Sequence, residues 1–347
     1  GCYTAAPNFR MKSQRMNDQS KAQPTRGWNT FWQGADRSKV SAPGGLSHPV
    51  FPGFWSLALG EFVAANPAGK VLDIGTGSGA VIEYLGQAPG VSLENVTCVD
   101  LSAAAINIGQ GRFPTVGGVV ADAKNIPLES GQFDLVTSQF GIEYAGPAAA
   151  DEAVRLLAQG GSLLFLMHIR PGQLHRECIA AADALHRIAQ TDLVPLAVEF
   201  FTAGFAAVKG GDREPYESAA RALNPAIKEL EAIMTEHGEH VAGDMLIYLH
   251  TTLQNMHSRI QHYNPDEVFS WLSTIGKELE EHEQRMLSMR DAAMDEEAFK
   301  SLCSSIERNG LTIEKAMPLQ IKGEELPVAW LLQATRVGEA DPTSVND

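Results

Sequence analysis

"VLDIGTGSGA" (residues 71–80) decides how this chain is read. A short apolar run ends in one acid, and glycines then fall on alternate positions at Gly75, Gly77 and Gly79. A buried strand, a glycine-rich turn and a helix ("GAVIEYLGQ") form the βα unit of an open α/β sheet, where backbone and nucleotide come close. The alternation continues downstream. "VTCVDLS" (96–102), "GGVVADA" (117–123), "FDLVTSQF" (133–140) and "SLLFLMHI" (162–169) read as four further strands. Helices "AAAINIGQ" (103–110) and "PAAADEAVRLLAQ" (147–159) lie between them, with Gly160 and Gly161 turning the chain into the last. Strands separated by helices of about ten residues predict a parallel sheet covered on both faces.

Upstream, "FWSLALGEFVAAN" (54–66) predicts a helix with Phe54, Leu57, Ala58, Phe62 and Ala65 on one face. Trp28, Phe31 and Trp32 recur at helical spacing before it. Downstream of Arg170 the alternation stops, and residues 172–308 carry helical periodicity. One helix is expected over 240–263 and another from Asn264–Pro265, an N-cap followed by proline at the first helical position. Strand character returns at "LTIEKAMPLQI" (311–321) and "LPVAWLLQATR" (326–336), which "KGEE" separates as in an antiparallel hairpin. The expected fold is a Rossmann-like, seven-stranded, mostly parallel α/β sheet with an antiparallel closing hairpin and an all-helical insertion. The expected divisions are an arm (1–50), a core (51–172), a helical cap (173–294) and the end of the core (295–337). Inserted caps of this kind commonly cover the active-site end of the sheet.

A formal net charge of -15 repels phosphate backbones and anionic lipid heads, so neither nucleic acid nor membrane is the expected partner. Cys2, Cys98, Cys178 and Cys303 form no CxxC pair. A disulfide framework or structural zinc is therefore not expected, and a cytoplasmic setting is. The helical block is rich in histidine, but His250 and His257 lie about 10 Å apart along an axis, and no HExxH pair occurs, so no metal is expected. His282 reads as a satisfied core histidine. Phe200, Phe201 and Phe205, like the tryptophans of the arm, either roof a pocket or pack between cap and sheet.

The glycine spacing alone leaves the nucleotide open, because a GxGxxG fingerprint tolerates Ala80 in its last place. Asp73 narrows it. A carboxylate two residues before the first glycine suits a cationic amine, unless it merely caps the helix. Asp100 ends the second strand, where a carboxylate takes ribose hydroxyls, and Asp122 ends the third, near the place of a base. Amine, ribose and adenine without phosphate describe S-adenosylmethionine.

In order and spacing, "VLDIGTGSG", "VTCVDLS", "VVADAKNIPLESGQFDLV" and "EAVRLLAQGGSLLFLMH" resemble the class I S-adenosylmethionine-dependent methyltransferases. The resemblance spans roughly 54–170 and resumes at 296–336. It implies that Asp73, Gly75, Gly77 and Gly79 hold the methionine part, with Gln139 beside the cofactor. It likewise assigns Asp100 to the ribose, and Leu101, Asp122 and Ala123 to the adenine, with S-adenosylhomocysteine as product. "SQFGIEYAG" (138–146) is similar to an uncharacterised bacterial sub-group. The position after the fourth strand lacks the Asn/Asp-Pro-Pro-aromatic motif of the base-modifying members.

Methyl transfer requires a nucleophile held in line, and a protonated one needs a base. Glu143 and His168, at the ends of the fourth and fifth strands, are the candidate catalytic residues. Against this, Glu143 can be a solvated acid opening a helix, and a strand-end histidine is often structural. The expected activity is methylation of an oxygen or nitrogen on a small molecule. A non-catalytic, methyltransferase-like regulatory module is the alternative, and a nicotinamide-dependent oxidoreductase is disfavoured by Asp73 and the early Gly79. The oligomeric state is left open.

Overall fold

The computed structural model describes Trp28, Trp32, residues 50–238 and residues 241–336. These divide into a sheet-bearing unit, which runs to His175 and resumes at Ala292, and a helical unit, Arg176–Asp291.

In the sheet-bearing unit, α1 (Val50–Ala65) leads to β1 (Val71–Ile74), α2 (Ala80–Gln87), β2 (Val96–Asp100), α3 (Ala103–Arg112) and β3 (Gly117–Val120). β4 (Phe133–Gln139), α4 (Pro147–Leu156) and β5 (Leu157–Met167) follow. The strand order is β3-β2-β1-β4-β5-β7-β6, where β6 (Leu311–Leu319) and β7 (Ala329–Arg336) close the sheet. β1 to β5 pair in parallel, and β7 lies antiparallel between β5 and β6. The expected seven strands and their hairpin are all present.

Period-two alternation sorts the side chains into two layers. One face buries Leu72, Ile74, Val136 and Phe165 with α4 residues and Phe299. The other buries Val71, Cys98, Leu135, Leu164 and Leu166 beneath α1 and α2. On α1 the buried stripe is Phe51, Trp55, Leu59 and Val63, while Leu57 is exposed. The expected face was thus right in part: Phe54, Ala58 and Phe62 flank the buried stripe, partly buried against the same core, while Leu57 and Ala65 are exposed. This helix is apolar nearly all round, so its periodicity offers two stripes, and packing of the two large rings selects one.

β5 starts at Leu157, where a continued helix was expected. Leu157 pairs with Phe133, the register then shifts, and Ser162 pairs with Leu135. Gly160, at φ +76°, permits this irregularity without a turn. Arg336 of β7 donates to the carbonyls of Val154 and Leu157, both at 2.7 Å, and so caps the end of α4.

The chain leaves the sheet after β5 and returns beside its own exit. Ile169 bridges Met294, the Met294 N–H donates to the His168 carbonyl, and the Arg170 N–H donates to the Met294 carbonyl. α10 (Glu296–Arg308) follows, N-capped by Asp295, and its Phe299 ring stacks on Trp330 at 4.2 Å.

The helical unit draws on α5 (Gln173–Gln190), α6 (Leu193–Val208), α7 (Glu214–His237), α8 (Gly243–Ser258) and α9 (Pro265–Ala292). α8 stops at Ser258, short of the expected 263, and a single 3₁₀ turn (Ile260–His262) follows. Phe200, Phe201 and Phe205 pack among themselves and against Tyr216, His257 and Phe269 within this unit. His282 is buried as expected, but its Nδ1 has no partner among the described residues. Burial and Arg285 push its pKa down to about 4, so the ring is neutral. Among the described residues no single helix is long and apolar enough to cross a membrane.

Candidate active site

The three glycines of the loop adopt φ +69°, +54° and +86°, a region that side chains with a Cβ rarely enter. At Gly75 the need is also spatial, since a Cβ would lie 2.8 Å from the Cα of Gly141. Two loops from neighbouring strands therefore touch backbone to backbone. Ser138 ties them together, donating to the Ile74 carbonyl (2.7 Å) and accepting the Ile142 N–H (3.0 Å).

The loop spends its amides on the protein itself. The N–H groups of Gly75 and Thr76 donate to the Val99 carbonyl, that of Gly79 to the Thr76 carbonyl, and that of Gly77 to Asp100 Oδ2 at 2.9 Å. Such a loop has few donors left for a pyrophosphate, and Glu83 in the first turn of α2 opposes an anion there too. Arg112 braces the loop from α3 through the Ser78 carbonyl (2.6 Å) and Glu83 (2.6 Å). This speaks against a dinucleotide and for a ligand without phosphate.

Asp73 is buried within β1, below the loop, and accepts the Thr137 hydroxyl of β4 at 2.8 Å. Burial pushes its pKa up to about 6, against the opposing pull of the Thr76 and Thr137 hydroxyls, while Asp100 adds to the rise. It does not cap α2, whose N-cap, Gly79, receives no side-chain bond. Asp100 sits at the end of β2, also raised by burial, with backbone N–H groups of Ser102, Gly77 and Leu101 pulling the other way. Beside it, Leu101 is 51% exposed, an apolar platform next to a carboxylate. Asp122 is exposed and held locally by the Lys124 N–H (3.0 Å) and ammonium (3.6 Å). Ala123 packs partly into the core.

Glu143 and His168, chosen separately from the sequence, form one unit. Glu143 Oε1 accepts both the His168 backbone N–H (2.9 Å) and Nδ1 (2.7 Å). Their side chains are 0% and 1% exposed, so Glu143 is no solvated acid. His168 Nε2 and Glu143 Oε2 have no partner among the described residues. The His168 ring is flanked by Phe140 at 4.4 Å and Tyr144 at 5.9 Å. Phe140 itself stands at φ +53°, a strained setting for an aromatic residue, and its ring meets Phe51 edge-on at 5.2 Å.

Sequence reasoning missed several contributors. Thr137 answers Asp73 across the β1–β4 pair, and only a register could have shown that. Trp55 on α1 donates its indole N–H to Gln139 Oε1. Trp32 lies over Gly77, filling the space of its absent Cβ, and shares a cluster with Ala105 and Ile108 of α3. Trp28 stacks on Trp32 and meets Tyr144 edge-on. Trp32 thus lines the glycine loop, with Trp28 behind it; Phe31 lies outside the described residues. Among the described residues the three cysteines are held as thiols. Burial pushes the thiols of Cys98 and Cys178 up to about 12 and that of Cys303 up to about 11.

Residues 72–165 match the family model of the methyltransferase domain. A demethylmenaquinone methyltransferase from Beutenbergia cavernae is 33% identical over 41% of this chain and 57% of its own length. The ubiquinone/menaquinone biosynthesis C-methyltransferase UbiE of Campylobacter jejuni is 33% identical over 28% of this chain and 43% of its own. The chain therefore spans less than two thirds of these relatives. Among solved structures, N-methyltransferase NodS from Bradyrhizobium japonicum, in complex with S-adenosyl-L-homocysteine, is 21% identical, with 42% of this chain and 72% of that one covered and a TM-score of 0.33. A glycine loop with few donors left for phosphate, the carboxylates of Asp73 within β1 and Asp100 at the end of β2, and the 72–165 match lead to one assignment: residues 72–165 of this chain are a methyltransferase domain of the class I S-adenosylmethionine-dependent type.

Proposed function

We propose that this chain transfers a methyl group from S-adenosylmethionine to a small molecule that gives up a proton to the Glu143–His168 pair. The pair carries the reading. Because Glu143 Oε1 already accepts a backbone N–H, it is placed as an acceptor, and the Nδ1 proton stays on the imidazole. That leaves Nε2 as a bare lone pair in a water-poor setting, the form a general base must have.

Bound S-adenosylmethionine supplies the methyl as an electrophile on a sulfonium. The chain's own groups do the rest. Asp100 accepts ribose hydroxyls, Leu101 supports the adenine, and Asp73 faces the cationic methionine end. His168 takes the proton that an acceptor O–H or N–H loses as its new bond to carbon forms, and Glu143 stabilises the resulting imidazolium. A residue only 1% exposed is out of reach of a macromolecular surface, which supports a small acceptor.

A second reading is methylation at carbon, favoured by the names of the two quinone-pathway relatives. The same base would serve it, since removing a hydroxyl proton raises electron density at the adjacent ring carbon.

The test is incubation with methyl-labelled S-adenosylmethionine and matched phenol, hydroquinone and amine acceptors, with products assigned by NMR. Labelled O-, N- or C-methyl product that is lost in His168→Asn supports the proposal. Cofactor binding without turnover on any acceptor would favour the non-catalytic module.

A further inference from the structure

An amino acid carries an ammonium and a carboxylate on one carbon, and Asp73 suits only the first. The following rests on the cofactor reading above. A carboxylate at this rim needs donors, since a desolvated charge without partners is costly. Three described cations near the loop and the strand ends are engaged elsewhere: Arg112 at the end of α3 with Ser78 and Glu83, Lys124 with Asp122, and Arg170 with Asp295. The amides of Gly75, Thr76, Gly77 and Gly79 are engaged too.

Gln139 is different. An indole N–H can only donate, so the Trp55 contact commits the Oε1 end of the Gln139 amide. Its NH₂ end is then left with two N–H groups that no described residue accepts. Trp55 is fully buried among the residues beneath α1, so this orientation is fixed by packing. Gln139 also lies on the face that carries Asp73. Asp73 pairs with Thr137, and Gln139 follows two residues later, about 7 Å further toward the carboxyl end of the strand. An acceptor and a donor so spaced can each reach one end of an amino acid through hydrogen bonds of about 2.9 Å.

We propose that Gln139, its amide oriented by Trp55, is the hydrogen-bond donor to the cofactor's carboxylate, so that Asp73 and Gln139 together read the zwitterion. Trp55 is then a positioning residue for cofactor recognition.

Calorimetric titration of the full chain with S-adenosylmethionine and with its decarboxylated form tests this. Gln139→Glu keeps the shape and still accepts from Trp55, but it turns a negative oxygen toward the ligand. It should weaken S-adenosylmethionine about tenfold or more, the usual scale of a hydrogen bond to a charged group, and leave the decarboxylated form within about twofold. Trp55→Phe should weaken S-adenosylmethionine selectively and to a lesser degree, with folding checked by circular dichroism. If that variant does not fold, Gln139→Glu decides alone. Unchanged S-adenosylmethionine binding in Gln139→Glu, or equal loss of both ligands, overturns the proposal. Failure of the unaltered chain to bind either ligand removes the cofactor reading, and this proposal with it.

Discussion

One oxygen of Glu143 receives both the imidazole and the backbone N–H of His168, at 2.7 and 2.9 Å. The backbone bond fixes where the carboxylate sits, and the ring bond fixes which imidazole nitrogen holds the proton. His168→Asn should therefore lower kcat by about 10²–10⁴-fold while S-adenosylhomocysteine affinity, read by titration, stays unchanged. Glu143→Gln keeps an accepting oxygen but removes the charge, and should cost less. Equal loss of cofactor affinity in both variants would mean that the pair is structural.

Asp73 links stability to pH in an unusual direction for a carboxylate. Its pKa in the fold, about 6, stands above the ordinary 3.8, so the folded state binds the proton more tightly than the unfolded one. That stabilisation is present below about pH 4 and is lost as pH rises through about 6, an amount of about 3 kcal/mol for a rise of this size. Asp73→Asn should accordingly raise the thermal midpoint of the ligand-free protein at pH 8 and change it little at pH 4. The same variant should lose cofactor affinity more than about tenfold. A lower midpoint at pH 8 would contradict the assignment.

Gly75 and Gly90 share a left-handed backbone, at φ +69° and +84°, but differ in surroundings. A Cβ on Gly75 meets Gly141 at 2.8 Å, whereas one on Gly90 meets nothing within 4 Å. Gly90→Ala should cost only the conformational term of about 1–2 kcal/mol. Gly75→Ala should cost more, because backbone must move, and should also reduce cofactor binding. Chemical denaturation of the two variants side by side measures the difference.

Trp32 covers Gly77, so a ligand against the glycine loop changes its surroundings. Titration with S-adenosylhomocysteine should shift the intrinsic fluorescence, and Trp32→Phe should remove most of that signal. An undiminished signal in the variant would place the responsive tryptophan elsewhere.

The strand positions and the closing hairpin were legible because apolar runs of strand length and glycine punctuation report local structure directly. The buried stripe of α1 was not, since a helix with rings on several sides has no unique face until it packs. The start of β5 was hidden for a related reason: "LLAQGG" has good helix formers, and only pairing of Leu157 with Phe133 overrides them. At the site, Asp73, Asp100, Glu143 and His168 could be chosen by type and place along strands. That Thr137 answers Asp73, or that Trp55 orients Gln139, depends on which strands become neighbours. These contacts bridge 64 and 84 residues, and no local pattern encodes them.

The order in which the sheet is completed has a consequence for biosynthesis. β7, the strand that covers the open edge of β5, is made about 160 residues after Met167, because the helical unit and β6 precede Ala329. At ribosomal speeds of about 5–20 residues per second, the "LLFLM" edge of β5 waits roughly 8–32 seconds for its partner. Throughout that interval an apolar, unpaired strand edge faces the cell, the kind of surface that recruits strands from other chains. Nascent-chain aggregation and chaperone dependence of this protein should therefore peak while residues 176–291 emerge, and should subside once Arg336 has been added.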